Sequence, residues 1–156
     1  MTVRPLQTGD YAWLLALSAA NEVETGHIDA DWLDAHAREW LRATVTEGEA
    51  YLIVFGPEAN YDSPNFLWFR ERMSGFAYVD RIVVSSASRG KGLARQLYEE
   101  LFAAARAQGA SAIVCEVNLD PPNPGSDAFH ARLGFAEVGR ATLANGKTVR
   151  YLKRDL

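Results

Sequence analysis

The stretch Arg81-Ile82-Val83-Val84-Ser85-Ser86-Ala87-Ser88-Arg89-Gly90-Lys91-Gly92-Leu93-Ala94 constrains this chain more than any other. Phe76 to Val84 is apolar and β-branched, which reads as a central strand. Ser85 to Ser88 reads as a loop. Gly92 to Gln108 reads as a long helix, with Leu93, Leu97, Leu101 and Ala104 at helical spacing and Gly109 as its stop. A strand that passes through glycines into a helix implies a sheet with helices packed on it. Small residues let backbone N–H groups come close to a ligand, and a helix start adds unpaired donors and a positive dipole end. Arg89, Lys91 and Arg95 add charge. The physics points to a phosphate-binding loop, although spacing alone leaves open an ordinary glycine turn with solvated cations. A Walker loop needs Ser or Thr after the lysine, and Lys91 is followed by Gly92. A Rossmann fingerprint needs a small residue where Arg95 stands.

The rest of the chain supplies the other layers. Val3 to Leu6 reads as a short strand. Thr8 or Asp10 can cap a helix through Tyr11 to Leu17, and Asp29 or Asp31 a second one through Trp32 to about Arg38. Asn21 to Ile28 reads as a loop. Trp40–Val45 and Ala50–Phe55 read as strands of a hairpin turning at residues 46–49. An insert, Glu58 to Ser74, carries Tyr61, Phe66, Trp68 and Phe69, with a short helix expected from Pro64 to near Met73. Ala112 to Val117 reads as a strand and Ser126 to Leu133 as a short helix. Phe135–Leu143 and Thr148–Leu152 flank the turn residues Asn145-Gly146. The expected fold is α/β, a central mixed β-sheet flanked by helices.

With 156 residues and no dividing linker, one domain over 1–156 is expected. The formal charge of −4 argues against nucleic acid as a partner. No run is apolar enough for a bilayer span, so no membrane partner is expected. Met1 to Pro5 show no leader signature, and Cys115 stands alone without a disulfide partner, so a reducing, cytoplasmic setting is expected.

Arg89-Gly90-Lys91-Gly92-Leu93-Ala94 resembles the Arg/Gln-x-x-Gly-x-Gly/Ala signature of the GNAT acetyltransferase superfamily, with Ile82-Val83-Val84 as the preceding strand. Ser86 stands where many members have proline. Asn123-Pro124-Gly125-Ser126-Asp127-Ala128-Phe129-His130-Ala131-Arg132-Leu133-Gly134-Phe135 is similar to the family's second motif, with Asn123, Phe129, Arg132, Gly134 and Phe135 fitting and Ser126 replacing alanine. The resemblance implies acetyl-CoA as acyl donor. Backbone groups of residues 89 to 94 would hold its pyrophosphate. Those of Ile82, Val83 and Val84 would pair with the pantetheine arm. The expected donor-binding set is therefore Ile82, Val83, Val84, Arg89, Gly90, Lys91, Gly92, Leu93, Ala94, Arg95, Asn123, Phe129 and Arg132. No metal is expected, because His27 and His36 lie in no ligand cluster.

His130 stands where the family usually has the tyrosine proposed to protonate the departing thiolate, so it is the candidate acid, against a packing role. Asp80 and Glu116 are the candidate bases, against structural pairing with Arg81 or another cation. Strand alternation would put Asp80 on the same face as Ile82. Asp127 reads as a helix cap. Cys115 reads as core, so direct transfer is expected over a cysteine relay. The resemblance implies acetyl transfer to a small-molecule amine. Its alternatives are a non-catalytic acyl-CoA-binding module and a protein or peptide N-acetyltransferase. The acidic loop at residues 21–27 could attract an ammonium group or be ordinary surface. The aromatic insert could line a pocket, cover a sheet edge or bury a dimer face. With the apolar final strand it motivates the expectation of a homodimer.

Overall fold

A computed structural model describes residues 2–156. The elements run β1 (Arg4–Pro5), α1 (Tyr11–Ala19), α2 (Glu22–Thr25), α3 (Ala30–His36), β2 (Trp40–Thr46), β3 (Ala50–Phe55), α4 (Pro64–Arg70), β4 (Phe76–Val84), α5 (Leu93–Ala107), β5 (Ala112–Asp120), α6 (Pro124–Arg132), β6 (Ala136–Thr142) and β7 (Thr148–Asp155). The seven strands form one sheet in the order β1-β2-β3-β4-β5-β7-β6. All neighbours pair antiparallel except β4 and β5, which are parallel. The α5 crossover makes that pair parallel, as a strand-helix-strand unit requires.

Both faces of the sheet are covered, so the central strands are apolar on both sides. Every residue of β3 is buried. Its Tyr51, Ile53 and Phe55 join Leu14, Leu33, Phe66, Phe69, Tyr78 and Tyr151 on one face. Its Ala50, Leu52 and Val54 join Leu93, Leu97, Leu101, Ile113 and Phe135 on the other. α5 turns Leu97, Leu101 and Ala105 inward at four-residue steps, with Tyr98 and Phe102 beside them. Such spacing fixes one face of a helix.

The segment expected as a loop at 21–28 holds one helical turn, α2, ended by Gly26 at φ +81°. Before α1, Asp10 sits in a short 3₁₀ turn, accepting from the Gln7 amide, Trp13 and both Arg4 nitrogens. The short helix near the end begins at Pro124, two residues earlier than read from the sequence, because Asn123 accepts from the Ser126 amide and caps it. Asp127 instead faces Arg150 at 3.8 Å.

The aromatic insert belongs to the core. Phe66 and Phe69 are fully buried, Tyr61 stacks on Phe55 at 4.1 Å, and Trp68 stacks on Tyr151 at 4.1 Å. Full burial of one such ring contributes roughly 1.5–3 kcal/mol. The final strand β7 lies inside the sheet between β5 and β6. Neither feature is therefore an open apolar face. Among the described residues, no helix is long and apolar enough to cross a membrane.

Candidate active site

The site exists because β4 and β5 part company. They pair only at Phe76–Ala112, Ala77–Ile113 and Tyr78–Val114. Just beyond, β4 carries a bulge against β3: Val54 faces Val79 and Ile53 faces Arg81, which leaves Asp80 as the extra residue. A bulge bends its strand and adds twist. It also breaks the alternation. Asp80 accepts a hydrogen bond from Tyr61, a member of one core face, while Ile82 packs against the opposite face. The sequence expectation of a shared face fails at this bulge.

Two cavities open where the strands diverge. One, of about 460 Å³, runs along Ile82, Val83 and Val84 to Arg89 and Ala94, with Asn123, Phe129 and His130 on its other wall. The other, of about 210 Å³, lies between Asp80 and Glu116 and reaches Tyr98, Asn65 and Lys147. Ile82, Asn123, Ser126 and His130 line both. The second cavity is roofed by contact between distant segments. Lys147 Nζ and Asn118 Nδ2 donate to the Val23 carbonyl, at 2.9 and 3.3 Å, tying α2 to the β6–β7 turn and to β5.

The acidic wall is tightly hydrogen-bonded. Tyr78 donates to Glu116 at 2.9 Å and Asn65 Nδ2 donates to it at 3.0 Å. Tyr151 in turn donates to Asn65 Oδ1 at 2.9 Å, which fixes the amide orientation. Burial, reinforced by the charge of Asp80, pushes the Glu116 carboxyl up to about 8, while the two donors pull the other way. Burial dominates because the charged form loses more hydration than two hydrogen bonds restore. Asp80 accepts from Tyr61 at 2.6 Å and from Arg81 Nε at 2.9 Å, and its side chain is 5% exposed. The Arg81 guanidinium packs over Trp32. Asp80 is thus a charge partner as well as a cavity wall.

His130 is 3% exposed. Its Nδ1 lies 2.8 Å from the Ser126 carbonyl, which can only accept, so Nδ1 bears the proton. Nε2 lies 2.7 Å from the Tyr98 hydroxyl and must therefore accept from it. Burial lowers the imidazole pKa below its ordinary value, against the pull of the Ser126 carbonyl and Asp127. Cys115 is buried beside Tyr98, and burial pushes its thiol well up, with the Glu116 charge adding to the effect. A thiol in that state is a poor nucleophile.

At the far end of the larger cavity, Gly90 and Gly92 adopt φ +84° and +79°. That left-handed backbone suits glycine, and no atom lies within 4 Å of where a Cβ would stand on either, so the loop is open to a ligand. Leu93 sends its side chain into the core, which leaves its backbone N–H at the helix start. Arg89 donates to Asn21 at 3.1 Å and flanks the cavity. Lys91 and Arg95 are exposed and pair with Glu49 and Glu99 at 3.5 and 3.4 Å. Arg132 is exposed on the last turn of α6 and lines neither cavity. The cavity, its open glycine loop and the unpaired edge of β4 suit an extended ligand with a phosphate end.

Sequence reasoning missed Tyr98, Asn65 and Tyr78, and named Tyr61 only as one of the aromatics of the insert. Tyr98 reads as one more apolar position of α5. Asn65 is one polar residue in an aromatic insert. No periodic signal marks either.

A sheet split between parallel strands, with a glycine loop and a helix start at its mouth, defines the GNAT architecture. Residues 58–135 match the model of the Acetyltransferase (GNAT) family. An L-methionine sulfoximine/L-methionine sulfone acetyltransferase from Pseudomonas paraeruginosa is 34% identical over 124 residues, covering 78% of this chain and 66% of that protein. The chain belongs to the GNAT acetyltransferase family. The match spans just under two thirds of that relative's length. Among solved structures, Ard1 from Thermoplasma volcanium superposes with TM-score 0.78 at 15% identity, covering 99% of this chain and 97% of that one. The yncA putative acetyltransferase from Salmonella typhimurium, solved with its cofactor acetyl-CoA, gives 0.70 at 20% identity, covering 100% of this chain and 94% of that one. These two show a shared fold.

Proposed function

We propose that the protein transfers an acetyl group from acetyl-CoA directly to the amine of a small polar molecule. The observation that carries this reading is the meeting of the two cavities at Ile82 and His130. The larger one offers the open loop at residues 89 to 94 for the pyrophosphate and the free edge of Ile82, Val83 and Val84 for the pantetheine arm. The smaller one offers Glu116 and Asp80 to an ammonium group. At their junction an amine and a thioester would be held within reach of each other, which converts an encounter into an intramolecular step. Glu116, with its carboxyl near 8, is suited to take the proton that the amine must lose. His130 stands on the leaving-group side. The buried, unactivated Cys115 favours direct transfer over a covalent relay.

The roof made by Val23, Asn118 and Lys147 favours a small acceptor over a peptide chain. The Pseudomonas relative directs attention to amino acids resembling methionine sulfoximine and sulfone. An acceptor of this kind would present its amine to the acids while its oxygens meet the asparagines and Lys147 around the cavity. A cytoplasmic setting, where acetyl-CoA and free thiols coexist, is part of this reading.

Free thiol release from acetyl-CoA, measured against a panel of amines headed by those two compounds, tests it. Amine-dependent release is the expected result. Tight acetyl-CoA binding with no release for any small amine or N-terminal peptide would overturn catalysis in favour of a binding module.

A further inference from the structure

We infer that Lys147 sets the acceptor specificity of this site, and that the acceptor it selects is an amino acid whose free carboxylate meets the Lys147 ammonium. This assignment rests on the acetyl-transfer reading above and narrows its acceptor from small polar amines to zwitterions. Its basis is the way charge is laid out around the smaller cavity, which Glu116, Asp80 and Lys147 all line. The last hairpin turn places the lysine. Asn145 Oδ1 accepts from the Lys147 amide at 3.0 Å, the Lys147 carbonyl accepts from the Leu143 amide at 2.7 Å, and Gly146 at φ +86° lets the chain reverse. Val149 and Tyr151 follow at two-residue steps, and Tyr151 is the cross-strand partner of Glu116. At about 3.4 Å per residue, Lys147 and Glu116 leave the backbone roughly 14 Å apart along the strand direction. The cavity of about 210 Å³ occupies the interval.

The Lys147 side chain is half-buried and bends over the cavity to the Val23 carbonyl of α2, at 2.9 Å. An ammonium carries three N–H donors, so that bond leaves donors to spare. The other lysines, Lys91 and Lys153, pair with Glu49 and Asp155 at 3.5 and 3.2 Å. Among the described residues, Lys147 has no carboxylate partner of this kind. The remaining charges on the wall are paired or exposed. Arg81 is held by Asp80 at 2.9 Å and packs over Trp32. Glu24 is exposed to water, which screens it. Lys147 is therefore the cation left to an incoming ligand.

A carboxylate at that position gains a charge-assisted hydrogen bond in a partly dry site, where charge interactions are stronger than in water. An amino acid satisfies both ends of the cavity at once. Its ammonium goes to Glu116 and Asp80, and its carboxylate goes to Lys147, with Asn118 and Asn145 beside it on the wall. A carboxamide keeps the first contact and loses the charge of the second. A diamine brings a second cation to Lys147 and is repelled. A peptide N-terminus offers an amide carbonyl where a carboxylate is needed. Selection works by repulsion as well as by attraction.

The test uses the full chain, acetyl-CoA, and the common L-amino acids together with the two compounds that head the amine panel. Each is assayed beside its carboxamide and beside the amine that lacks the carboxyl. For the best amino acid, kcat/KM should exceed that of its carboxamide by about 10- to 100-fold, the scale of one hydrogen bond to a charged group. The carboxamide loses its ammonium proton more readily, so amine basicity biases the comparison against this result. Lys147→Met removes the charge and should collapse the acid-to-amide ratio toward one, chiefly by raising KM for the acid, as loss of a binding contact does. Lys147→Arg keeps the charge and should keep most of the preference. Acetyl-CoA affinity by calorimetry should stay within twofold in both variants, because Lys147 does not line the larger cavity. If the parent takes the carboxamide or the decarboxylated amine as well as the acid, or acetylates only peptide N-termini, the assignment is overturned and acetyl transfer stands. If Lys147→Met weakens acid and carboxamide equally, Lys147 is a tether for α2 and the assignment is overturned in the same way. If the parent acetylates no amine, both readings fall together.

Discussion

As the proposed base, Glu116 carries the heaviest chemical demand of any single residue in this chain. In that role it must be an anion to accept a proton, yet burial and Asp80 hold its carboxyl near 8. Asn65 and Tyr78 are the counterweight, since hydrogen bonds to a carboxylate favour its charged form. If Glu116 is the base, kcat/KM rises with pH through about 8. Glu116→Gln should lower kcat by about 10²-fold or more. A rising limb also follows from deprotonation of the acceptor amine itself, so Asn65→Ala supplies the discriminating measurement. Removing that donor leaves the carboxylate less supported, and the midpoint should move to higher pH than in the parent. A midpoint that stays in place in Asn65→Ala assigns the limb to the amine and leaves Asp80 as the neighbouring candidate.

At the scale of elements, the helices and strands were legible where one period ran unbroken. α5 was expected over 92–108 and spans Leu93–Ala107, and β3 matches its expected bounds. Legibility ended where a long-range contact decided the outcome. Asp80 and Ile82 look like neighbours on one face until the bulge separates them, and the bulge depends on register with β3. Tyr98 looks like a core residue because, in its ring, it is one. The insert offered aromatics without a destination; in the fold, α4 lays Trp68 across Gly139 of β6 and Tyr151 of β7. A Cβ on Gly139 would collide with the Trp68 ring, which is held by its stack on Tyr151 and by Arg72 above it at 4.3 Å. Gly139→Ala should therefore destabilise the protein by about 1–3 kcal/mol, the usual cost of overpacking. Gly9→Ala, where a Cβ meets nothing within 4 Å, is the control and should change little. Urea unfolding of the two variants separates them, and equal midpoints would mean that α4 yields to the added methyl.

For the whole molecule, the proposed active site is also a source of instability with a definite pH signature. The two packed faces of the sheet close around a cleft that keeps a carboxyl in a poor environment for charge. Glu116 has a folded-state pKa of about 8 against an ordinary value of 4.5. Between those values the unfolded chain has lost the proton and the folded chain still holds it, so stability falls as pH rises and levels off above the folded value. His130 works in the opposite sense. Its folded-state pKa lies below the ordinary 6.5, so it subtracts stability only as pH falls below that value. The two effects oppose each other on the acid side, and Glu116 acts without that opposition from about pH 6.5 to about pH 8. His27, raised by its pair with Glu22, has the same sign as Glu116 there, but the pair is exposed and contributes little. Asp10 is held down to about 2 by its hydrogen bonds with Arg4 and contributes its pH dependence only in strong acid. Stability should therefore decline across the neutral range with a slope of at most about 1.4 kcal/mol per pH unit for the one proton involved. Glu116→Gln, which keeps the shape and removes the charge, should flatten this slope and leave the variant more stable than the parent at pH 8 while it loses activity. Urea unfolding of parent and variant at intervals across that range measures it. Parallel curves for the two proteins would show that Glu116 ionises in the folded state as readily as in the unfolded chain, and its place as a buried base would be lost.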